Sequence, residues 1–377
     1  MQRKLNQNVL RNLEQQRFNR RLSQKAKKLE RNRKRSAQKQ HPLKKIAKKS
    51  SKSRDPWANI EAPVEIDLAS NRDETCEFIN NIKEYVRYGN RVRINFEKCQ
   101  NIRLSGLIVL LAQIHKLRLQ YGQDQITGTY PDSPRIERLL SDSGFYKLLH
   151  VRSRKKTRSA SKLTRFIPFR SEQKPTSSEI PALRDELLGE DLKMPTIIKK
   201  KVFRALSEAM TNVNHHAYKT KSNVFGKHLG RWWMVATLSN RTRLFTLVFY
   251  DAGVGIPKTL PRRYPIELIR GALSLLPMIK PDDGQMIHAA MELGRTRTAE
   301  SNRGKGLIDL AKLIDTAAAG SMSIYSRNGS YAYTPTLETH KNHQGFIEGT
   351  LIEWQLPIDK AIENLPQEII DEIETYD

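Results

Sequence analysis

Two apolar stretches, Met234 to Ser239 and Leu244 to Tyr250, are joined by a polar turn and read as paired strands. The second runs without a break into Asp251-Ala252-Gly253-Val254-Gly255-Ile256-Pro257. Gly253 and Gly255 let the backbone pass close to a flat ligand, and the Asp251 carboxylate can accept from an exocyclic amine. Upstream, Phe203 to Tyr218 has helical periodicity and carries Glu208, Asn212 and His216. That i, i+4, i+8 spacing puts the three on one broad face, drifting by ~80° over two turns. Magnesium keeps several waters and takes one or two protein oxygens, which suits Asn212. Glu208 can accept a proton from an attacking water or hydroxyl. Downstream, Arg303-Gly304-Lys305-Gly306-Leu307 opens a helix through Leu313. A glycine-rich turn at a helix N-terminus offers free N–H groups and a favourable dipole end to phosphate. Each feature alone also describes an exposed helix face or a glycine that shapes a loop.

Their order and spacing carry more. Glu208-Ala-Met-Thr-Asn212-Val-Asn-His-His216-Ala217 resembles the N box of the GHKL ATPase superfamily, which includes the histidine-kinase catalytic domains, gyrase and the anti-sigma serine kinases. Asp251 to Pro257 resembles its G1 box, Arg303 to Leu307 its G2 box, and Gly349 to Pro357 its closing strand. The resemblance implies a Bergerat α/β sandwich, with helices on one face of a mixed sheet. It further implies ATP and Mg²⁺ as cofactors. Asn212 would coordinate the metal, and Glu208 would be the general base. Asp251 would accept from the adenine amino group, with Gly255 against the ring and Thr350 supporting the adenine site. Gly304 and Gly306 would contact the phosphates through backbone N–H groups. By residue type, Arg303 and Lys305 are placed to help with phosphate charge. His216 would be structural, and 258–302 would form a lid whose Arg295 and Arg297 reach the triphosphate on closure.

The segment before this is βα in character. Val64 to Leu68, Val92 to Phe96 and Gln125 to Thr129 read as strands. Asp73 to Tyr88, Ser105 to Tyr121 and Ser133 to Ser143 read as helices, with Ser105 a cap for the second. Alternation of this kind argues βαβ units and a partly parallel sheet. The run Ile94 to Leu111, together with Gly128 to Pro131, Leu139, Leu140 and Gly144-Phe145, resembles a STAS domain, the anti-sigma-factor-antagonist fold. That family usually has Asp-Ser-Ser-Gly before the helix, with a phosphorylatable hydroxyl. Here the positions are Arg103, Leu104, Ser105 and Gly106. Ser105 is therefore the candidate phosphoacceptor, against the plainer reading as a helix cap.

Charge divides the chain further. The formal net charge is +26, and residues 1–55 alone hold 20 Lys/Arg against 3 Asp/Glu. Such an arm cannot bury enough apolar surface to order itself. It reads as a solvated tail or as an electrostatic arm for nucleic acid or an acidic partner, binding without sequence preference. Arg152 to Arg170 reads as a basic linker. From Ile358 onward there are seven acids and one Lys, with Ile362, Leu365, Ile369, Ile370 and Ile373 as an apolar stripe broken at Pro366. The expected order is arm 1–55, STAS-like domain 56–151, linker 152–178, ATPase domain 179–357 and acidic tail 358–377. The longest apolar stretch falls far short of the ~18 residues of a membrane span. Cys76 and Cys99 form neither a zinc spacing nor a disulfide framework, which suits a reducing, cytoplasmic setting.

The function expected from this layout is a Mg²⁺-dependent ATP-binding regulatory switch with a fused STAS-like domain and a regulatory protein partner. In one form it is an anti-sigma-type serine/threonine kinase. The alternative is an ATP-gated dimerisation clamp or scaffold without phosphotransfer, associated with nucleic acid through the arm. A two-component sensor kinase is disfavoured. His150, at the end of an expected strand, is not in an acidic helical motif, and there is no receiver domain.

Overall fold

The computed structural model describes residues 57–152, 164–172, 196–213, 231–239, 241–276, 278–296 and 306–363. Asn59–Asp377 forms one compact unit. The arm 1–55 lies outside the described residues, as do 173–195 and 364–377.

The first segment runs β1 (Trp57–Glu61), β2 (Glu65–Ile66), α1 (Arg72–Arg87), β3 (Arg91–Asn95), β4 (Asn101–Ile102), α2 (Leu104–Tyr121), β5 (Ile126–Gly128), α3 (Pro134–Asp142) and α4 (Phe145–Leu149). β1, β3 and β5 form one sheet in the order β1-β3-β5, while β2 and β4 pair separately. The β3–β5 and β2–β4 pairs are parallel. Parallel neighbours need a crossover, and α1 and α2 supply them. α2 is apolar on nearly every side, so it is buried from Ser105 to Ile114 and again at Leu117 and Arg118. Gly106 lets it press onto β2, since a Cβ there would lie 2.7 Å from the Ile66 carbonyl oxygen.

Two local expectations are corrected here. Ser105 does not cap α2: Arg103 holds the N-cap position without a side-chain bond, and Ser105 lies inside the helix. Its hydroxyl donates instead to Asp67 Oδ1 at 3.1 Å. His150 ends no strand; it is the left-handed C-cap of α4, at φ 55°.

The second segment contains β6 (Thr164–Glu172), α5 (Thr196–Asn212), β7 (Trp232–Ser239), β8 (Leu244–Asp251), α6 (Ile256–Thr259), α7 (Ile266–Ala272), α8 (Asp283–Thr296), α9 (Gly306–Ala317), β9 (Ser321–Tyr333), β10 (Glu338–Pro357) and α10 (Ile358–Glu363). Its five strands lie in the order β6-β7-β8-β10-β9. Every neighbouring pair is antiparallel, where a mixed sheet was expected. The whole is a mixed α/β protein with parallel pairs in the first segment and antiparallel ones in the second.

Three further expectations change. The basic linker contains strand β6, which pairs antiparallel with β7 and forms an edge of the sheet. Pro168 falls within its register shift between Ile167 and Arg170, a place where an edge strand tolerates proline. The stretch expected to form a lid carries helices α7 and α8 among its described residues. The acidic tail begins as core: Ile358 and Ala361 of α10 are both 1% exposed.

The antiparallel sheet is apolar on both faces. Trp232, Met234, Phe249, Ile324, Ile352 and Trp354 pack with α5, α8 and α9 on one side. Trp233, Val235, Val248, Tyr250, Tyr325 and Leu351 pack on the other with the core of the first segment. Successive side chains of a strand point to opposite faces, so the Trp232-Trp233 pair sends one indole each way. The two segments therefore share a buried core, with helices on both faces of the sheet. Across the seam, Gln113 Nε2 donates to the Tyr250 hydroxyl at 3.2 Å. Lys83 and Lys116 both pair with Glu348, at 2.6 and 2.5 Å.

Candidate functional site

The site is a polar row closing an apolar sheet face. In register, Trp232 pairs with Asp251, Asp251 with Thr350, and Thr350 with Ser326. One row inward, Met234, Phe249, Ile352 and Ile324 occupy the same strands and the same face. Apolar packing thus gives way abruptly to a carboxylate and two hydroxyls. All three are buried: Asp251 is 8% exposed, Thr350 9% and Ser326 0%.

Such polar groups need partners. The Ser326 hydroxyl donates to the Gly349 carbonyl at 2.6 Å and lies 3.3 Å from Thr350 Oγ1. It accepts from the Ile256 N–H at 3.0 Å. The Gly253 N–H donates to Asp251 Oδ1 at 2.8 Å. Among the described residues nothing donates to Asp251 Oδ2. Burial pushes this carboxyl up to about 7, and the Gly253 N–H offsets only part of that. Trp232 Nε1, at the end of the same row, is a buried donor with no acceptor among the described residues.

The glycines form a narrow cradle around this row. Gly255 has φ 85°, and a Cβ there would lie 2.7 Å from Ser326 Oγ. Gly349 has φ 75°, and a Cβ would sit 1.9 Å from the Asp251 carbonyl oxygen and 2.6 Å from the Gly253 nitrogen. Both positions demand glycine twice over, by conformation and by space.

Of the residues singled out in the sequence, the structure brings together Asp251, Gly253, Gly255 and Thr350. Glu208 is half-buried on α5, the helix packed on the same face of the sheet. Asn212 is the last residue of α5, and its side chain lies outside the description. Gly306 and Leu307 open α9. Arg303, Gly304, Lys305, His216 and Arg297 lie outside the described residues. Arg295 binds Glu292 at 2.6 Å and also Glu338, and its guanidinium lies over the Tyr333 ring. Ser326 was missed. Its strand alternates Met322, Ile324, Ser326, and the one polar residue at an inward position was the available signal.

Ser105 lies at the seam and is 1% exposed. Asp67, which accepts the Ser105 hydrogen bond, also accepts from the Ser70 hydroxyl at 2.6 Å and the Ala69 and Ser70 N–H groups. These donors hold the Asp67 carboxyl below its ordinary range although burial opposes them. Glu353, buried nearby, is pushed upward by burial and by the Asp67 charge.

Residues His288, Glu292 and Glu338 place one ligand atom each within 4.8 Å of one another. The Arg295 guanidinium already binds both carboxylates, which makes this an ion-pair network tying α8 to β10.

No family model, no curated protein and no solved structure matches this chain.

Proposed function

We propose that this chain is an ATP-binding regulatory switch of the GHKL type, with the first segment a STAS-like module docked permanently against the ATPase sheet. The observation that carries the reading is the Asp251–Thr350–Ser326 row with its glycine cradle. A buried carboxylate with one oxygen unengaged, beside backbone that excludes any Cβ, suits a flat base bearing an amine. The orphan Trp232 Nε1 in the same row adds a donor.

In this reading Asp251 accepts from the adenine amine, and Thr350 and Ser326 hold the carboxylate's surroundings in place. Glu208 serves as proton acceptor and Asn212 as the metal ligand. Mg²⁺ would supply charge neutralisation at the phosphates when bound. The turn 303–306 would contact the phosphates through backbone N–H groups. α7 and α8 would form the lid, which excludes water on closing.

The burial of Ser105 favours a switch that binds or hydrolyses ATP over one that phosphorylates its own Ser105. Calorimetry of the purified chain with ATP and Mg²⁺ tests the core claim. Binding that disappears in Asp251→Asn supports it; binding unchanged by that substitution refutes the site. Incubation with γ-labelled ATP then separates the forms. Free phosphate without labelled protein fits the switch, and label that requires Glu208 fits a kinase.

A further inference from the structure

We infer that Arg72, on the first segment, is a positioning residue for the Asp251 site across the seam; this rests on the ATP-binding reading above. Arg72 opens α1 and is 3% exposed. Among the described residues its guanidinium makes no carboxylate pair. It spends its donors on three backbone carbonyls of the second segment. Nε donates to Gly345 at 3.1 Å, Nη1 to Gly329 at 3.0 Å and Nη2 to Arg327 at 2.6 Å. Neighbouring Asp73 accepts from the Gly345 N–H at 2.6 Å. A fixed fork suits this task, because a guanidinium holds several acceptors in one geometry.

The backbone it grips is irregular. β9 and β10 pair regularly up to Asn342 and again from Thr350, with register shifts on either side of Ile347. Arg327 itself is left-handed, at φ 56°. A left-handed non-glycine persists only where its surroundings over-determine it. Here the surroundings include Arg72 at its carbonyl, Asp283 Oδ2 3.6 Å from its Nε and the Phe346 ring beneath its guanidinium. Ser326 immediately precedes Arg327, and Gly349 ends the irregular stretch that begins after Asn342. The hydroxyl of the first donates to the carbonyl of the second. So the strained strand pair that shapes the cradle is fixed from behind by the first segment.

The same hairpin supports the expected lid. The Asn328 N–H donates to Asp283 Oδ2 at 3.0 Å, and Gly329 lies so close to Asp283 that a Cβ would sit 2.4 Å from its backbone. Gly329 is thus touched by Arg72 on one side and by the start of α8 on the other. Removing the fork would leave two buried carbonyls and one part-buried carbonyl without these donors, and the hairpin would relax toward regular pairing. The positions of Ser326 and Gly349 would move with it.

Coupling between sites is reciprocal, so both directions can be measured. Calorimetry with ATP and Mg²⁺ would compare the full chain with Arg72→Lys, which keeps the charge and most of the stem, and with Asp73→Ala, a surface change that removes the Gly345 contact. Arg87→Ala, exposed on the same helix, is the control. Arg72→Lys is expected to weaken ATP by about 5- to 50-fold. Asp73→Ala should weaken it less, and Arg87→Ala should leave it unchanged. Hydrogen exchange at the N-terminal turn of α1 should slow when ATP binds wild type, and slow less in Arg72→Lys. A folded Arg72→Lys with wild-type affinity and a lower melting temperature overturns the inference and leaves the ATP reading standing. Wild type that fails to bind ATP overturns both.

Discussion

Asp251→Asn separates stability from binding in opposite directions. The carboxyl titrates at about 7 instead of 3.8 because it is buried against only one donor. For an acid, a raised native value means that the folded chain holds its proton more tightly than the unfolded chain. Stability is then fully present below pH 3.8 and is lost as pH rises through 7. Each pH unit between the two values costs about 1.36 kcal/mol, so the full penalty is about 4 kcal/mol above neutrality. Asparagine is isosteric, stays neutral and can still accept from the Gly253 N–H. Relative to wild type, the variant should gain about 2 kcal/mol at pH 5 and about 4 kcal/mol at pH 8.5. Urea unfolding of both proteins at the two pH values, without nucleotide, measures this directly. ATP binding should vanish in the same variant. A variant less stable than wild type at pH 8.5, or a difference that does not grow with pH, would refute the account of a buried, under-satisfied carboxylate.

Gly349→Ala should cost at least about 3 kcal/mol and abolish nucleotide binding, read by thermal unfolding and calorimetry, because strain and collision coincide there. Glu348 is held at about 2 by Lys116 and Lys83, so its contribution is present above 4.5 and fades as pH falls from 4.5 to 2. Glu348→Gln should lower stability at pH 7 by about 3 kcal/mol and flatten the acid limb of the profile. A chain starting at residue 160 would bare Trp233, Val235, Val248, Tyr250, Tyr325, Ile347 and Leu351. At about 1.5–3 kcal/mol per side chain this is on the order of 10 kcal/mol, comparable with a whole domain's stability. It should aggregate alone and become soluble when co-expressed with residues 57–152.

Elements with one strong period were legible. α1, α2, β3, β7 and β8 lie within a few residues of their expected bounds, since each is decided by a local apolar pattern. Helices α7 and α8 were not, in a stretch that carries several prolines. Pro257 sits in the first turn of α6, and Pro265 caps α7, where a missing N–H costs nothing. β9 escaped because Ser323, Ser326, Arg327, Asn328 and Gly329 dilute its alternation. Its inward residues need only a narrow apolar stripe once β10 covers its edge. Asp251, Gly253 and Gly255 stood out in the sequence because a carboxylate and glycines at fixed spacing carry their own chemistry, while Thr350 entered only through the resemblance. Ser326 carries none until register places it beside Thr350.

The seam was written in the sequence in a form that local patterns do not resolve. A sheet with one wet face alternates apolar and polar residues along its strands. Trp232-Trp233-Met234-Val235-Ala236 and Leu247-Val248-Phe249-Tyr250 do not alternate, so both faces had to be covered. α2 carries the matching signal, an apolar surface too broad for one neighbour. Neither names the other as partner, because contacts such as Gln113 to Tyr250 lie far apart in sequence. Once joined, the two signals have a mechanical consequence. The residues of β8 and β10 that line the polar row alternate with residues packed on the first segment: Asp251 follows Tyr250, and Thr350 precedes Leu351. A change on one face of these strands therefore reaches the other through a single peptide, and this short path gives a docked module leverage over the site.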